Sequence, residues 1–331
     1  MTQHFLLSAR SRGLGIASIL SMSESQAHRE FCRIRWPDTA GQPVCPWCGC
    51  AACWVCGAQR FRFRCKRCLR DFSATCKTDF ARHKLSHRLL LAAMHTFLCS
   101  VAGTAALEMS RVLDVSYKTA FVLCHKLRLA MGGEFQNQCL GGPGSEVEVD
   151  GRYSGGHVRP ANWRVNRRDR RLAKNQNGKR RVTVVIRARN GRCLTWAFRT
   201  EESAVDFIIE RVRPETVVYA DDAPSWNRLH EYFEVFRVNH KECYSAPDAC
   251  TNHAESFFAR MARAEHGQYL RFSGPYLWLY GWEAAWREDH RRDSVREQLE
   301  QLGALIGASV PDRWFCGYWQ RHRRPAIPPL V

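Results

Sequence analysis

Glu146-Val147-Glu148-Val149-Asp150-Gly151 is the stretch on which the reading of the fold turns. Polar and apolar residues alternate along it and run into Asp-Gly, so it reads as a half-buried strand with Asp150 at its end. Val217-Val218-Tyr219-Ala220 is a second short apolar run, bounded by Pro214 behind and Asp221-Asp222-Ala223-Pro224 ahead, which places Asp221 at that strand's exit. Strand alternation turns Asp222 the other way. Thr251-Asn252-His253-Ala254-Glu255-Ser256-Phe257-Phe258 reads as a helix start with Thr or Asn as its cap, and it carries Glu255. Ligands of an open sheet gather at the carboxyl ends of its strands. Three acids delivered there suit hard divalent cations that take oxygen ligands, and paired cations at such a point stabilise both the attacking and the leaving oxygen of a phosphodiester displacement.

The segments between these acids supply the rest of a domain. Strands are expected at 182–188 and 193–198, joined by a turn at Asn190-Gly191. A helix follows over Ser203–Val212, and a further strand over Glu234–Val238. Three successive strands, helix, strand, helix, strand, helix is the element order of an RNase H-like α/β domain. Between Asp150 and the second strand lies a basic arm, Asn162–Arg181, with Arg164, Arg167, Arg168, Arg170, Arg171, Lys174, Lys179, Arg180 and Arg181. So much like charge beside a cation site makes sense where a phosphate backbone neutralises it.

The whole chain leans the same way. Its 331 residues carry 50 Lys+Arg against 32 Asp+Glu, a net charge of +18, which favours a polyanionic partner, with nucleic acid the natural candidate. An apolar fraction of 45% is ordinary for globular proteins and excludes a disordered basic tail. There is no run of 18 apolar residues and no signal-peptide pattern at the N-terminus, which excludes a membrane partner and implies a cytoplasmic, nucleoid-associated protein. The 16 cysteines then read as metal ligands in a reducing compartment. Cys45-Pro46-Trp47-Cys48-Gly49 and Cys65-Lys66-Arg67-Cys68, sixteen residues apart, have the spacing of a zinc ribbon in which two knuckles give four thiolates to one Zn²⁺. A third pair, Cys53-Trp54-Val55-Cys56, lies between them and either replaces a knuckle, binds separately or is incidental; the outer pairs have the knuckle context. Cys50, Cys76, Cys99 and Cys124 read as packed thiols. Arg60, Arg62, Arg64, Lys66, Arg67 and Arg70 crowd the second knuckle, interleaved with Phe61, Phe63 and Phe72, as expected of a DNA-backbone contact.

Between ribbon and acids the period becomes helical. Leu89, Leu90, Ala93, Met94 and Phe97 form one apolar face, and Gly103 breaks the run. A short helix over Thr104–Val112 and a second one capped by Ser116, with Ala120, Leu123, Leu127 and Met131 as its stripe, resemble a helix-turn-helix. Tyr117, Lys118, Lys126 and Arg128 are then expected on the exposed, DNA-reading side. Upstream, Ser23-x-x-Gln26 opens a helix through Ala27, Phe31 and Ile34. Gly141-Gly142-Pro143-Gly144 reads as the linker between the DNA-binding half and the acid-bearing domain.

These residues carry a likeness. The chain resembles the zinc-ribbon DDE transposases of bacterial insertion sequences (the IS fifteen-ninety-five family, with its ISXO-two-like transposase domain). The likeness runs from about Phe5 to Trp314-Phe315-Cys316-Gly317-Tyr318-Trp319-Gln320-Arg321 and rests on Cys45-Pro-x-Cys-Gly, Arg64-Cys65-x-x-Cys68 with Asp71-Phe72-Ser73, Val115–Ala120, Val149-Asp150-Gly151 with Tyr153 and Gly155-Gly156, Tyr219-Ala220-Asp221, Val238-Asn239-His240, Thr251–Phe258 and Trp286–Arg292. It implies that Asp150 and Asp221 are two catalytic aspartates. Asn252 and Glu255, one helical turn apart, share the third-ligand motif, with Glu255 the direct ligand and Asn252 a supporting or alternate one. The implied activity is metal-dependent cleavage and transfer of DNA strands with Mg²⁺ or Mn²⁺ at Asp150, Asp221 and Glu255 and Zn²⁺ in the ribbon. The implied partners are terminal inverted repeats, target DNA and a second copy of the chain. The implied organisation is an N-terminal helical segment (1–40), a zinc ribbon (41–78), a helix-turn-helix-like region (79–140), an RNase H-like DDE domain (145–300) and a C-terminal tail (301–331). One departure stands out: Ala262 sits where the family usually has a basic residue, so that either Arg260 or Arg263 takes up its DNA contact or activity is reduced. The competing readings are an inert, transposase-derived DNA-binding regulator and an RNase H-like nuclease without strand transfer.

Overall fold

In the computed structural model, which describes residues 5–317 apart from 12, 58–60, 156–159, 170–171, 173–174, 176–177, 190 and 239–250, the helices and strands follow in the order α1 (Ile16–Ser21), α2 (Glu24–Arg35), β1 (Cys53–Cys56), β2 (Arg62–Cys65), β3 (Asp71–Ser73), α3 (His87–Cys99), α4 (Ala106–Val112), α5 (Tyr117–Gly132), β4 (Glu146–Ser154), β5 (Arg181–Ala188), β6 (Cys193–Phe198), α6 (Val205–Arg211), β7 (Val217–Asp221), β8 (Glu234–Val238), α7 (Asn252–Ala264), α8 (Leu277–Asp289), α9 (Val295–Ala308) and α10 (Arg313–Cys316). Residues up to Glu134, with those from His290, form one compact unit; Phe135–Asp289 form the other.

In the first unit Ser23 and Gln26 cap each other, the Gln26 N–H donating to Ser23 Oγ at 3.3 Å and the Ser23 N–H to Gln26 Oε1 at 2.7 Å, and α2 starts there. Its buried Phe31 and Ile34 join a core with α3 and α9. The strands β1-β2-β3 form an antiparallel sheet whose register sets Phe63 opposite Phe72. Both rings are buried against Trp36, at 5.8 and 6.4 Å, while the intervening Arg62 and Arg64 point to solvent. Period-two alternation therefore assigns the phenylalanines to the core and the arginines to the surface.

The helix pair α4–α5 forms as expected, with Asp114 at φ 51° in the turn and Ser116 Oγ accepting the Thr119 N–H at 3.2 Å. Tyr117 is 56% exposed and Lys118 is also exposed. Lys126 and Arg128 depart from expectation: they are 5% and 2% exposed. Helices α3, α4, α9 and α10 all pack on α5 and enclose it on more than its apolar stripe. Arg128 lies over the Phe97 ring at 5.3 Å and donates to the Thr104 carbonyl at 3.4 Å, and Lys126 sits in the field of buried Asp79. Neither reaches a DNA backbone from there.

The second unit is built on a five-stranded sheet in the order β6-β5-β4-β7-β8. The first three strands of the chain segment form an antiparallel meander, and β7 and β8 then add in parallel beside β4. Val182, Val184, Ile186, Val147, Val149, Val218 and Ala220 are fully buried on one face. Phe207 of α6 lies 5.6 Å from Phe198 there, whereas α7 and α8 pack on β4, β5 and β6 through the alternate residues, such as Thr183 and Thr195 beneath Gly281. The order is consistent with the expected RNase H-like domain, except that the segment between β7 and β8, Pro224–Glu231, is a 3-10 helix. The units divide at Glu134/Phe135 and after Asp289, and α9 packs with α2, α3 and α5.

Gly141 to Gly144 is a packed turn of the second unit and no free linker. Gly141 (φ +84°), Gly142 (φ +124°) and Gly144 (φ +71°) all adopt left-handed backbone, and the Gly142 N–H donates to Thr216 Oγ1 at 2.8 Å. A Cβ at Gly141 would lie 2.2 Å from that same Oγ1. Gly141→Ala is therefore expected to lower stability by about 1–3 kcal/mol, read from the denaturant midpoint; an unchanged midpoint would show that the turn yields freely. A second expectation concerns acid. Burial, with the Lys126 charge adding to it, holds His83 down to about 4, below the ordinary 6.5. The neutral form then favours the fold, so this stability is present above about pH 6.5 and is lost as pH falls toward 4. His83→Asn, whose amide oxygen can take over the Leu85 N–H that His83 Nδ1 accepts at 3.1 Å, should reduce the loss of stability between pH 7 and pH 5 by up to about 2 kcal/mol.

Candidate active site

Asp150 does not end its strand. β4 continues to Ser154 because β5 pairs with it all the way, Arg181 opposite Ser154. What ends near Asp150 is the parallel pairing on the other side, whose last partners are Val149 and Ala220. Asp221 is the final residue of β7, so the two aspartates are neighbours on adjacent strands, on one face, at the spacing of about 4.8 Å that separates strands. Asp150 Oδ1 accepts the Gly151 N–H at 2.7 Å. Asp221 Oδ1 accepts the Trp226 indole N–H at 2.6 Å and the Ala223 N–H at 3.3 Å. Helix α7 starts after Thr251 and packs on β4, with Glu255 in its first turn near enough for its charge to act on Asp150, and with Asn252 exposed one turn earlier.

Glu201, a residue for which the sequence offers no motif, joins this group. Its side chain fills the space over Gly151, where a Cβ would come within 2.8 Å of Oε1, and Ser225 Oγ donates to its Oε2 at 3.2 Å. Burial pushes the Asp150 carboxyl up to about 7; the Gly151 N–H opposes this, and the charges of Asp221, Glu201 and Glu255 add to it. Glu201 is also raised, first by burial and then by Asp221. Three like charges acting on one half-enclosed carboxylate are costly unless a cation relieves them, and an all-oxygen donor set is the kind that holds Mg²⁺ or Mn²⁺.

The four outer cysteines make a tighter cluster. Among the described residues, Cys45, Cys48, Cys65 and Cys68 are the one set of three or more His, Cys, Asp or Glu whose ligand atoms all lie within 4.8 Å of one another. The sulfurs of Cys45 and Cys68, and of Cys48 and Cys65, are 3.5 Å apart, close to the edge of about 3.8 Å for a tetrahedron with 2.3 Å metal–sulfur bonds. The two turns repeat each other: the Gly49 N–H donates to the Cys45 carbonyl and the Leu69 N–H to that of Cys65, with Gly49 and Leu69 both left-handed. The Cys68 and Arg67 N–H groups point at Cys65 Sγ, at 3.4 and 3.3 Å, and help bring that thiol down to about 6. Cys53 and Cys56 lie on β1, where residues three apart point to opposite faces, so this pair makes no knuckle.

Residues 140–289 match the family described as the ISXO2-like transposase domain. The chain carries an ISXO2-like transposase domain. No curated protein matches it. The match spans β4 to α8 and so contains every acid of the site. Around this transposase domain, Arg167, Arg168 and Lys179 are exposed, and Arg180 lies over the Tyr153 ring at 4.1 Å; Arg170 and Arg171, like Gly156, Asn239, His240 and Tyr318–Arg321, lie outside the described residues. Arg263 is exposed, whereas Arg260 is tied to buried Glu288 at 2.7 Å. Among the described residues, no helix is long and apolar enough to cross a membrane.

Zinc held by the four clustered thiolates predicts one equivalent of zinc per chain by elemental analysis. Cys45→Ser should release it, and Cys53→Ser should keep it; the reverse pattern would move the ligands inward.

Proposed function

We propose that the protein is an insertion-sequence transposase that binds the terminal inverted repeats of its element and carries out metal-dependent cleavage and transfer of DNA strands. The observation that carries this reading is the placement of Asp150 and Asp221 side by side on the inner strands β4 and β7, with the charge of Glu255 acting on Asp150, within a segment that matches a transposase family. In it, Asp150 and Asp221 would hold divalent cations, and Glu255 of α7 would complete the set. When bound, Mg²⁺ or Mn²⁺ supplies the Lewis acidity that stabilises the attacking and leaving oxygens of the phosphodiester. The Gly151, Ala223 and Trp226 N–H donors each engage one oxygen of an aspartate and so fix which oxygen remains to face a cation.

DNA contact falls to surfaces that remain exposed. On the ribbon these are Arg62, Arg64, Lys66, Arg67 and Arg70, which all reach solvent around a core that Zn²⁺ at Cys45, Cys48, Cys65 and Cys68 would pin. On the helix pair they are Tyr117 and Lys118 at the start of α5. On the transposase domain they are the basic arm, with Arg167, Arg168, Lys179 and Arg180, and Arg263. Holding two DNA ends together calls for a second copy of the chain.

Cleavage of inverted-repeat DNA in Mg²⁺ is expected to fall at least about 100-fold in Asp150→Ala and in Glu255→Ala, while binding of the same DNA, read by mobility shift, stays near that of the parent. Cleavage that survives both substitutions would sink the assignment. Cleavage without joining of the freed end to a second duplex would favour the plain nuclease.

A further inference from the structure

Glu148 lies two residues before Asp150 on the same face of β4, yet its surroundings are the opposite. It is 0% exposed, and both of its oxygens are engaged. Glu148 Oε2 accepts the backbone N–H groups of His253 at 2.7 Å and Ala254 at 2.9 Å, the first free donors of α7. Its Oε1 lies 2.9 Å from His253 Nδ1 and 3.3 Å from Arg189 Nε. Thr251, at the position that normally caps the helix, makes no side-chain cap. The cap of α7 thus comes from a strand more than a hundred residues earlier in the chain. A carboxylate there also meets the positive end of the helix dipole.

We propose that Glu148 is the positioning residue of the site: by capping α7 from within β4 it fixes the first turn of that helix, and with it Glu255, beside Asp150. One strand would then carry a direct metal ligand and, one period away, the clamp that delivers the third ligand. Glu148 is no ligand itself, because helix N–H groups, His253 and Arg189 use both oxygens. Arg189 is held in turn by Glu146 and stacks at 3.9 Å on Tyr219 of β7, so the clamp is braced from the strand that carries Asp221. This inference rests on the reading of Asp150 and Glu255 as metal ligands.

The test uses the full-length, zinc-loaded chain and Mn²⁺ as the probe, with binding followed by electron paramagnetic resonance and the fold by thermal melting. Glu148→Ala should weaken Mn²⁺ binding about tenfold or more. Glu148→Gln, whose amide oxygen still accepts the two helix N–H groups, should restore affinity to within about threefold of the parent. Glu148→Asp, one methylene too short to reach them, should behave like the alanine variant. Should Glu148→Ala fail to fold, the Gln and Asp variants decide alone: Gln near parent with Asp weakened supports the clamp, and equal affinity in the two overturns it. Folded Glu148→Ala with parental Mn²⁺ affinity and only a lower melting temperature also overturns it. Asp150→Ala runs alongside; if that variant keeps parental Mn²⁺ binding, the ligand assignment fails, whatever Glu148 does.

Discussion

The parallel pairing of β4 with β7 is the constraint on which the candidate site depends. Its register sets Val149 against Ala220, and the next residue on each strand is an aspartate. Two carboxylates at strand spacing repel, and Glu201 and Glu255 add to the same field. The sheet tolerates this because its register is determined elsewhere, by fully buried valine, isoleucine and alanine residues on the opposite face, where a slip of one residue would turn apolar side chains to solvent. Unfavourable electrostatics sustained by a strongly specified scaffold is the pattern of a functional site, in which strain persists because the surroundings over-determine it.

How much of this was legible in the sequence depended on how local the cause was. The Ser23–Gln26 and Ser116 caps, the strands β5 to β8 and the outer cysteine pairs rest on residues a few positions apart, and they fold as expected. Asp150 was misplaced to a strand end because Asp-Gly has the look of a turn. The glycine instead makes room for Glu201, which arrives from the far end of β6. Lys126 and Arg128 were expected in solvent because charged residues usually lie there. They are buried because α9 and α10, from the far end of the chain, close over α5. Glu201 itself had no signature, since nothing local marks one member of Glu201-Glu202, before a short helix, as the neighbour of two distant aspartates.

The same separation governs the basic residues. A net charge of +18 describes the chain but does not map its contact surface. Arg152 is committed to Glu265, Arg187 and Arg260 to Glu288, and Arg189 to Glu146 and Glu148 within the transposase domain, and Arg128 lies over an aromatic ring. Exposed arginines and lysines include those of the ribbon strand β2 and its knuckle and those of the basic arm. On β2, alternation alone separates the two roles, since each arginine follows a phenylalanine into the opposite half of the pleat. An arginine that closes an internal ion pair cannot also neutralise a phosphate, so internal pairing narrows the surface available to a nucleic acid.

Glu148 and Asp150 share a strand, a face and a charge, and their fates differ through what covers them. Over Glu148 stands the N-terminus of α7, rich in unpaired donors, and the carboxylate becomes fully satisfied. Over Asp150 the neighbours are acids, and only the Gly151 N–H softens the repulsion. The helix therefore does two things at once. Two of its free N–H groups are consumed by a strand residue, and its first turn also carries Glu255, whose charge acts on Asp150. A helix starting one residue later would take from the buried Glu148 Oε2 its two backbone donors, a cost of about 1–3 kcal/mol, and would also rotate Glu255 by about 100° around the helix. The requirement to satisfy one buried carboxylate thereby sets the geometry in which the other is left needing a cation.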